Sequence, residues 1–509
     1  MKSFKISAVV LAAVVAVPMF AAKPEKVEGS YYVAFKNGVT NSNRGLLKSA
    51  GAEISAEFDS LRTVEVKLRN ANAAAALAQN PNVEYVEEVP MRYRMDLAGA
   101  QLAPSLSNGL YGVLTTKSNV VNATGITGAG IKVGVADTQL DISHPDIAGN
   151  LVAHTNCVTT NPCSGSGWQN DGETHATHVA GTILGVNNNA GVAGVAYGAK
   201  LAHARVLGPN GGSSSDIMRG VRWLVEAQGC KIVNLSLGGG LKSRTEENFY
   251  KEMRTKGALV VAATGNDGAT RVSYPAAYPV NVAVGAVDHN DLVATFSNRG
   301  TNIDITAPGV MVLSSVPANT GSEASVTAGA EHRAFGLEFS PKTNGLSGNL
   351  VNCGLGQVGE FPAAVAGNIA LISRGTIDFV TKVNNAKIAG AVAAVIYNNA
   401  AGDFTGTLGA AGTYIPAVSV SQAAGAALLT QASGTVMNKL SSWDHYDGTS
   451  MATPHAAGVA ALIWASNLTQ TAATVETKLK NGCDDKGAAG YDTVYGYGRV
   501  NAAKSLGIQ

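Results

Sequence analysis

The stretch Ile131-Lys-Val-Gly-Val-Ala-Asp137-Thr138 decides the fold. It is a short apolar run with no polar face, the pattern of a strand buried on both sides, and it ends on an acid. Runs of the same kind recur at Lys231–Leu237, Leu259–Ala263 and Val280–Ala286. Between them the period changes to that of a helix, as in Asp216–Gln228, where Ile217, Val221, Leu224 and Val225 share one face. Alternating units of this kind predict an α/β domain built on a doubly wound, mostly parallel sheet. In such sheets the ligand site lies at the carboxyl ends of the strands, and Asp137 stands at one of them.

Working outward, the residues before this unit read differently. Strand-like segments at Tyr31–Phe35, Ala52–Phe58, Arg62–Leu68 and Val83–Glu88 alternate with helical ones at Asn43–Ala50 and Asn72–Gln79. The order β-α-β-β-α-β is the ferredoxin-like arrangement, so residues 29–95 form a small α+β module. Met91–Gln101 and on to Gly109 is loop-like and open to cleavage. On the other side the alternation breaks near Ser314. Residues 320–438 are poor in charge and carry their own strands (Asn368–Ser373, Val392–Ile396, Tyr414–Ser419) and helix (Thr376–Ala389). This is a mixed α/β domain inserted into the larger one, which therefore comprises 105–315 and 440–509 and resumes with an apolar helix over Ser450–Ala465.

Composition bounds the rest. The chain has 509 residues, 46% hydrophobic and 14% charged, enough for a sizeable core. Its 37 Lys+Arg balance 36 Asp+Glu, for a net charge of +1. That excludes a nucleic-acid binder or a polybasic membrane-surface protein, which need an excess of one sign. Lys2 and Lys5 precede an apolar run from Ile6 to Ala22, a secretory signal over residues 1–22. An uncleaved anchor is the alternative, and the run is short for one. No later stretch is apolar enough to cross a bilayer, so the protein is expected to be secreted. Cys157 and Cys163 bracket a loop and suit a small disulfide in an oxidising compartment; Cys230 reads as a buried thiol, and Cys353 and Cys483 could pair or stay free.

Three segments carry chemistry: Asp137-Thr138 at a strand end, His175-Ala-Thr-His178 opening a helix, and Gly448-Thr-Ser450-Met-Ala-Thr-Pro454 opening another. A serine hydroxyl needs an imidazole to take its proton, and the imidazole needs a carboxylate to orient it and stabilise its charge. A fourth segment, Val260-Val-Ala-Ala-Thr-Gly265-Asn266-Asp267-Gly268, leaves a strand through a Gly-rich turn with an amide at its tip, a donor for an oxyanion.

These segments resemble those of the subtilisin-like serine proteases. The resemblance implies that Asp137, His175 and Ser450 are the triad, and that Asn266 with the Ser450 backbone N–H forms the oxyanion hole. It implies that Ser236, Leu237, Gly238 and Gly239 pair with the substrate backbone and line its first pocket, with Ser273 at the base. Residues 29–95 resemble the inhibitory propeptide of these enzymes. The insert resembles a protease-associated (PA) domain at Gly367-Asn-Ile-Ala-Leu-Ile-Ser-Arg-Gly and Ile415-Pro-Ala-Val-Ser-Val-Ser. Asp146, Asn188 and the carbonyls of Val186, Ala190 and Val192 match family positions that bind calcium, whose ligands are oxygens; a turn held by Asn side chains is the alternative. Two residues depart from the pattern: Gln139 stands where Gly is usual after Asp-Thr, and Ala176 replaces Gly between the histidine and Thr177. Asp171 and Glu173 read as solvated loop acids, and His178 and His455 as packing residues.

The expectation is a secreted serine endopeptidase made as a self-processing zymogen, acting on protein or peptide substrates, with its own propeptide as inhibitor. The rival classes are a silent protease scaffold that only binds, and a ligase or exopeptidase using the same acyl-enzyme. An α/β-hydrolase esterase is disfavoured because Gly448-Thr-Ser450-Met-Ala452 lacks the second Gly of G-x-S-x-G.

Overall fold

The computed structural model describes residues 23–95, 110–158, 160–165, 172–188 and 191–508. The expected signal, residues 1–22, lies outside them, as do Ala190 and Asp171.

Seven strands form the central sheet: β5 (Lys132–Asp137), β6 (Leu151–Asn156), β7 (Lys200–Arg205), β9 (Ile232–Leu235), β11 (Leu259–Ala263), β12 (Val282–Val287) and β13 (Ile305–Pro308), in the order β13-β12-β11-β9-β5-β7-β6. All six pairings are parallel. Alternate residues feed two cores. Val133, Val135, Leu259 and Val261 pack under the helices His175–Leu184 and Thr449–Ala465. Val260, Ala262, Val233 and Leu235 face the opposite layer, where helices Ser214–Arg222 and Arg244–Thr255 contribute Ile217, Val221, Phe249 and Met253. The two-sided burial read from the strands is what this double layer requires. The helix expected over Asp216–Gln228 begins at Ser214, and its α-helical part ends at Arg222, continuing as a wider turn to Ala227.

The N-terminal module is β1 (Lys26–Phe35), helix Asn41–Ser49, β2 (Glu53–Phe58), β3 (Thr63–Lys67), helix Ala71–Ala78 and β4 (Val83–Arg94), with β4-β1-β3-β2 antiparallel. The far end of β4 leaves this sheet and runs between two short strands of the main domain. Met91 and Arg92 pair with β8 (Gly212–Ser213), and Tyr93 and Arg94 with β10 (Leu237–Gly238). The first residues of the stretch read as a loop from Met91 are thus strand as far as Arg94, because their backbone partners come from a distant segment.

The module docks on helix starts. Glu87 accepts from Ser243 Oγ (2.8 Å), Arg244 N–H (3.0 Å) and Thr245 N–H (2.8 Å) at the head of helix Arg244–Thr255. The Tyr32 hydroxyl bonds the hydroxyls of Ser214 (2.7 Å) and Ser215 (2.8 Å) at the head of helix Ser214–Arg222. Unpaired N–H groups and the helix dipole make these sites natural seats for a carboxylate.

The insert closes seven strands between Gly321 and Ser441 into a barrel. Ile369–Ser373, Ala393–Tyr397 and Ala417–Val420 run parallel within it. Strands Gly321–Ala328, Ala330–Gly336, Thr343–Asn352 and Ser433–Ser441 complete it. Cys157 and Cys163 are bonded, and Cys230, Cys353 and Cys483 are free and buried.

Replacing Glu87 by Ala should weaken docking of the N-terminal module by about 1–2 kcal/mol, the worth of a helix cap. Hydrogen exchange checks this: faster exchange at the Arg244 and Thr245 amides is the expected outcome, and unchanged exchange would show that the cap contributes nothing.

Candidate active site

Asp137 is the last residue of β5 and is fully buried. Its Oδ1 accepts from Thr138 N–H at 2.6 Å and lies 2.6 Å from His175 Nδ1. Thr138 Oγ1 in turn accepts from Ala176 N–H (3.1 Å), which ties the helix start to the strand end. Ala176 is wholly enclosed, so the methyl that replaces the usual hydrogen is accommodated there. Gln139 is 1% exposed, and neither end of its amide has a hydrogen-bond partner among the described residues.

Ser450 lies in the first turn of helix Thr449–Ala465. Tyr446, just upstream, donates from its hydroxyl to Thr174 Oγ1 (2.6 Å), the residue before His175, and stacks on His178 at 4.4 Å. The heads of the two helices are thereby fixed side by side. Pro454 sits inside the helix; lacking an N–H, it leaves the carbonyl of Ser450 without its usual helical donor. Ser236 Oγ fills that vacancy at 2.8 Å. Ser450 Oγ donates to the Ser236 carbonyl at 2.9 Å.

The Asn266 turn is equally specified. Its Oδ1 accepts from both Thr449 N–H (2.9 Å) and Thr449 Oγ1 (2.8 Å), so the amide cannot rotate freely. Its Nδ2 is buried and has no hydrogen-bond partner among the described residues. The preceding Gly265 has φ +107°, and a Cβ there would stand 2.3 Å from Asn298 Nδ2 and 2.6 Å from Ser273 Oγ. Only glycine fits.

Beside these groups ends the N-terminal module. Met95 donates its N–H to the Ser236 carbonyl (3.3 Å), and its carbonyl accepts from Ser450 N–H (3.0 Å). A Cβ on Gly238 would meet Met95 Cε at 2.8 Å and Ser273 Cβ at 3.3 Å, placing the methionine side chain near the residue expected at the pocket base. Leu237 and Gly238 carry the backbone pairing. Gly239 pairs with Tyr274 instead, and its bare Cα admits the Met91 carbonyl, which a Cβ would approach to 2.7 Å.

With this geometry described, comparison with known proteins places the chain. Residues 128–337 match the subtilase family, 346–428 the PA domain, and 16–88 the fervidolysin N-terminal prodomain. The M-protease of Shouchella clausii strain KSM-K16 is 37% identical over 286 residues, 56% of this chain and 70% of that protein. The chain belongs to the subtilase family. Subtilisin E of Bacillus subtilis strain 168 is 33% identical over 309 residues, 59% of this chain and 76% of that protein. Among solved structures, the psychrophilic subtilisin-like protease Apa1 of the Antarctic Pseudoalteromonas sp. AS-11 aligns with a TM-score of 0.63 and 31% identity, over 78% of this chain and 96% of that one. Fervidolysin of Fervidobacterium pennivorans shares the fold, with a TM-score of 0.61 at 20% identity over 95% of this chain and 62% of that one. This subtilase is accordingly a serine endopeptidase with a prodomain and an inserted PA domain.

Of the groups expected to hold calcium, Asp146 and the Val186 carbonyl already have hydrogen-bond partners within the protein, and Ala190 lies outside the described residues. Asp146 Oδ2 accepts from Trp443 Nε1 (2.7 Å), Ser315 Oγ (2.8 Å) and Val192 N–H (3.2 Å). Three donors thus converge on Oδ2, and Oδ1 has no hydrogen-bond partner among the described residues. Val186 gives its carbonyl to Asn188 N–H at 3.0 Å. Trp443 arrives from the segment that follows the insert, a partner 297 positions away from Asp146 and therefore invisible to a local motif. Among the described residues no cluster of three or more His, Cys, Asp or Glu could hold a metal. Glu173, expected to be solvated, pairs with Arg94 at 2.5 Å.

Three further imidazoles are structural. Burial lowers His178 and His203 to about 3 and His455 to about 4. Unfolded, each takes up a proton near 6.5. Between these limits the unfolded chain holds more protons, so stability rises with pH and is lost on acidification. Thermal unfolding of the uncleaved chain should show a midpoint falling steadily from about pH 6.5 to 4, and His178→Gln should flatten that slope by up to one proton.

Proposed function

We propose that this subtilase is a secreted zymogen that cuts itself after Met95 and then hydrolyses proteins with Asp137, His175, Ser450 and Asn266 as its catalytic groups. One observation carries this: the Met95 carbonyl is hydrogen-bonded to the Ser450 N–H while the Met95 N–H is hydrogen-bonded to the Ser236 carbonyl. That is how a peptide carbonyl must lie to be attacked and then stabilised by that N–H.

In this mechanism Ser450 Oγ turns from the Ser236 carbonyl to His175 Nε2, gives up its proton and bonds the Met95 carbonyl carbon. The C=O π electrons move onto oxygen. Asp137, already on Nδ1, favours the tautomer that leaves Nε2 a base and then stabilises the imidazolium. The oxyanion keeps the Ser450 N–H and gains Asn266 Nδ2, the buried donor that has no hydrogen-bond partner among the described residues. A donor engaged only as charge develops lowers the barrier rather than tightening substrate binding. His175 returns its proton to the Asp96 nitrogen as the C–N bond breaks, and water repeats the sequence on the acyl-enzyme. The freed strand stays paired with β8 and β10 and blocks the cleft, which makes the prodomain an inhibitor.

Secretion is supported by the reading of residues 1–22, and no helix of the described residues is long and apolar enough to cross a membrane. The silent-scaffold alternative has no observation in its favour.

The chain carrying Ser450→Ala should accumulate uncut in a host lacking other proteases, whereas the unsubstituted chain should yield a mature N-terminus at Asp96, read by mass spectrometry. A mature product from Ser450→Ala would overturn self-processing, and cleavage elsewhere would overturn the assigned bond. For a peptide substrate, Asn266→Ala should lower kcat about 10²–10³-fold with little change in KM; an unchanged kcat would remove Asn266 from the oxyanion hole.

A further inference from the structure

The strand that fills the cleft ends Arg92-Tyr93-Arg94-Met95, and the fourth residue back from the proposed scissile bond is buried completely. Long cationic side chains are almost never enclosed unless paired. Arg92 donates through Nε to Glu246 Oε1 at 3.2 Å and pairs through Nη2 with Glu246 Oε2; Nη2 also donates to the Leu241 carbonyl at 2.9 Å. Both side chains of this ion pair are fully shielded from solvent.

The acid is positioned independently of its guest. Glu246 lies in the first turn of helix Arg244–Thr255, its N–H held by Ser243 Oγ at 3.1 Å. The Tyr278 hydroxyl donates to Glu246 Oε2 at 2.8 Å and also contacts the Ser243 carbonyl at 3.0 Å. The pocket is therefore a fixed carboxylate with a carbonyl beside it, the two-acceptor pattern that a planar guanidinium matches with its fork of donors. When the prodomain departs, this pocket loses its cation, and a peptide bringing a neutral side chain there would bury the carboxylate unpaired, which is costly.

We propose that Glu246 is a specificity determinant: the mature enzyme selects protein substrates with arginine at the fourth position on the N-terminal side of the cut, as in Arg92-Tyr-Arg-Met95. This rests on the protease function proposed above. Arg94 also meets an acid, Glu173, but its side chain is 43% exposed, and exposed pairs contribute little. The selective contact is the buried one.

The test uses purified mature enzyme and internally quenched peptides Xaa-Tyr-Arg-Met-Asp, flanked identically, with Xaa as arginine, lysine, glutamine or norleucine. For the unsubstituted enzyme, kcat/KM with arginine should exceed that with glutamine or norleucine by about 10- to 100-fold, the worth of hydrogen bonds to a charged group. Lysine, keeping the charge without the fork, should fall between. In Glu246→Gln the ratio of arginine to norleucine should collapse towards unity. Equal cleavage of arginine and norleucine peptides by the unsubstituted enzyme would overturn the proposal even if Glu246→Gln failed to fold. A full arginine preference in a folded Glu246→Gln would also overturn it. If no peptide of the series were cut, the protease function would fall, and the pocket's role with it.

Discussion

A carboxylate and an imidazole held 2.6 Å apart with no solvent contact set the terms for everything around them. Burying Asp137 alone would be prohibitive, and burying it against His175 is tolerable only when its geometry is held closely. The sheet provides that: β5 delivers the acid at its carboxyl end, and Thr138 binds back to the histidine helix through Ala176. The imidazole helix is then tied to the serine helix by Tyr446 and Thr174. Precision at the site is thus inherited from strand and helix ends rather than from flexible loops.

The same economy governs the docking of the prodomain. Its β4 contributes to its own sheet at one end and to the enzyme's cleft at the other. Because β4 pairs with β8 and β10 on either side, its backbone groups are satisfied by the enzyme, and the carboxylate of Glu87 satisfies a helix start that water would otherwise solvate. Each contact replaces one with solvent, so no single one is large. Together they align the chain so that Met95, and not a neighbour, meets Ser450.

Much of this was legible in the sequence because it obeys local rules. Strands buried on both faces announce themselves as apolar runs, and the order of elements in residues 29–95 identified the small antiparallel module. Asp137, His175, Ser450 and Asn266 stand out because each sits where a strand or helix terminates. What stayed hidden was non-local. The pair Arg92–Glu246 joins residues 154 positions apart, and neither has a local motif. The extension of β4 past Glu88 had no visible partner, and four barrel strands of the insert are only partly buried and rich in polar residues, with too little hydrophobic alternation to register. The surroundings of Asp146 were hidden for a related reason: Trp443 and Ser315 reach it from elsewhere in the chain.

In the self-processing proposed above, the enzyme binds its own sequence as a substrate once and releases it as a product. The two ends of the cleft segment divide that task. At Met95 the polar contacts are two backbone hydrogen bonds, available to almost any residue. At Arg92 they are an enclosed ion pair that few residues can make. Hydrogen bonds to the backbone set register without regard to sequence, whereas a buried charge penalises every side chain that cannot neutralise it. In the maturation proposed above, the side chain that selects the Met95 bond is therefore the fourth residue back from it, and any competing substrate would have to satisfy the same carboxylate once the prodomain has left it.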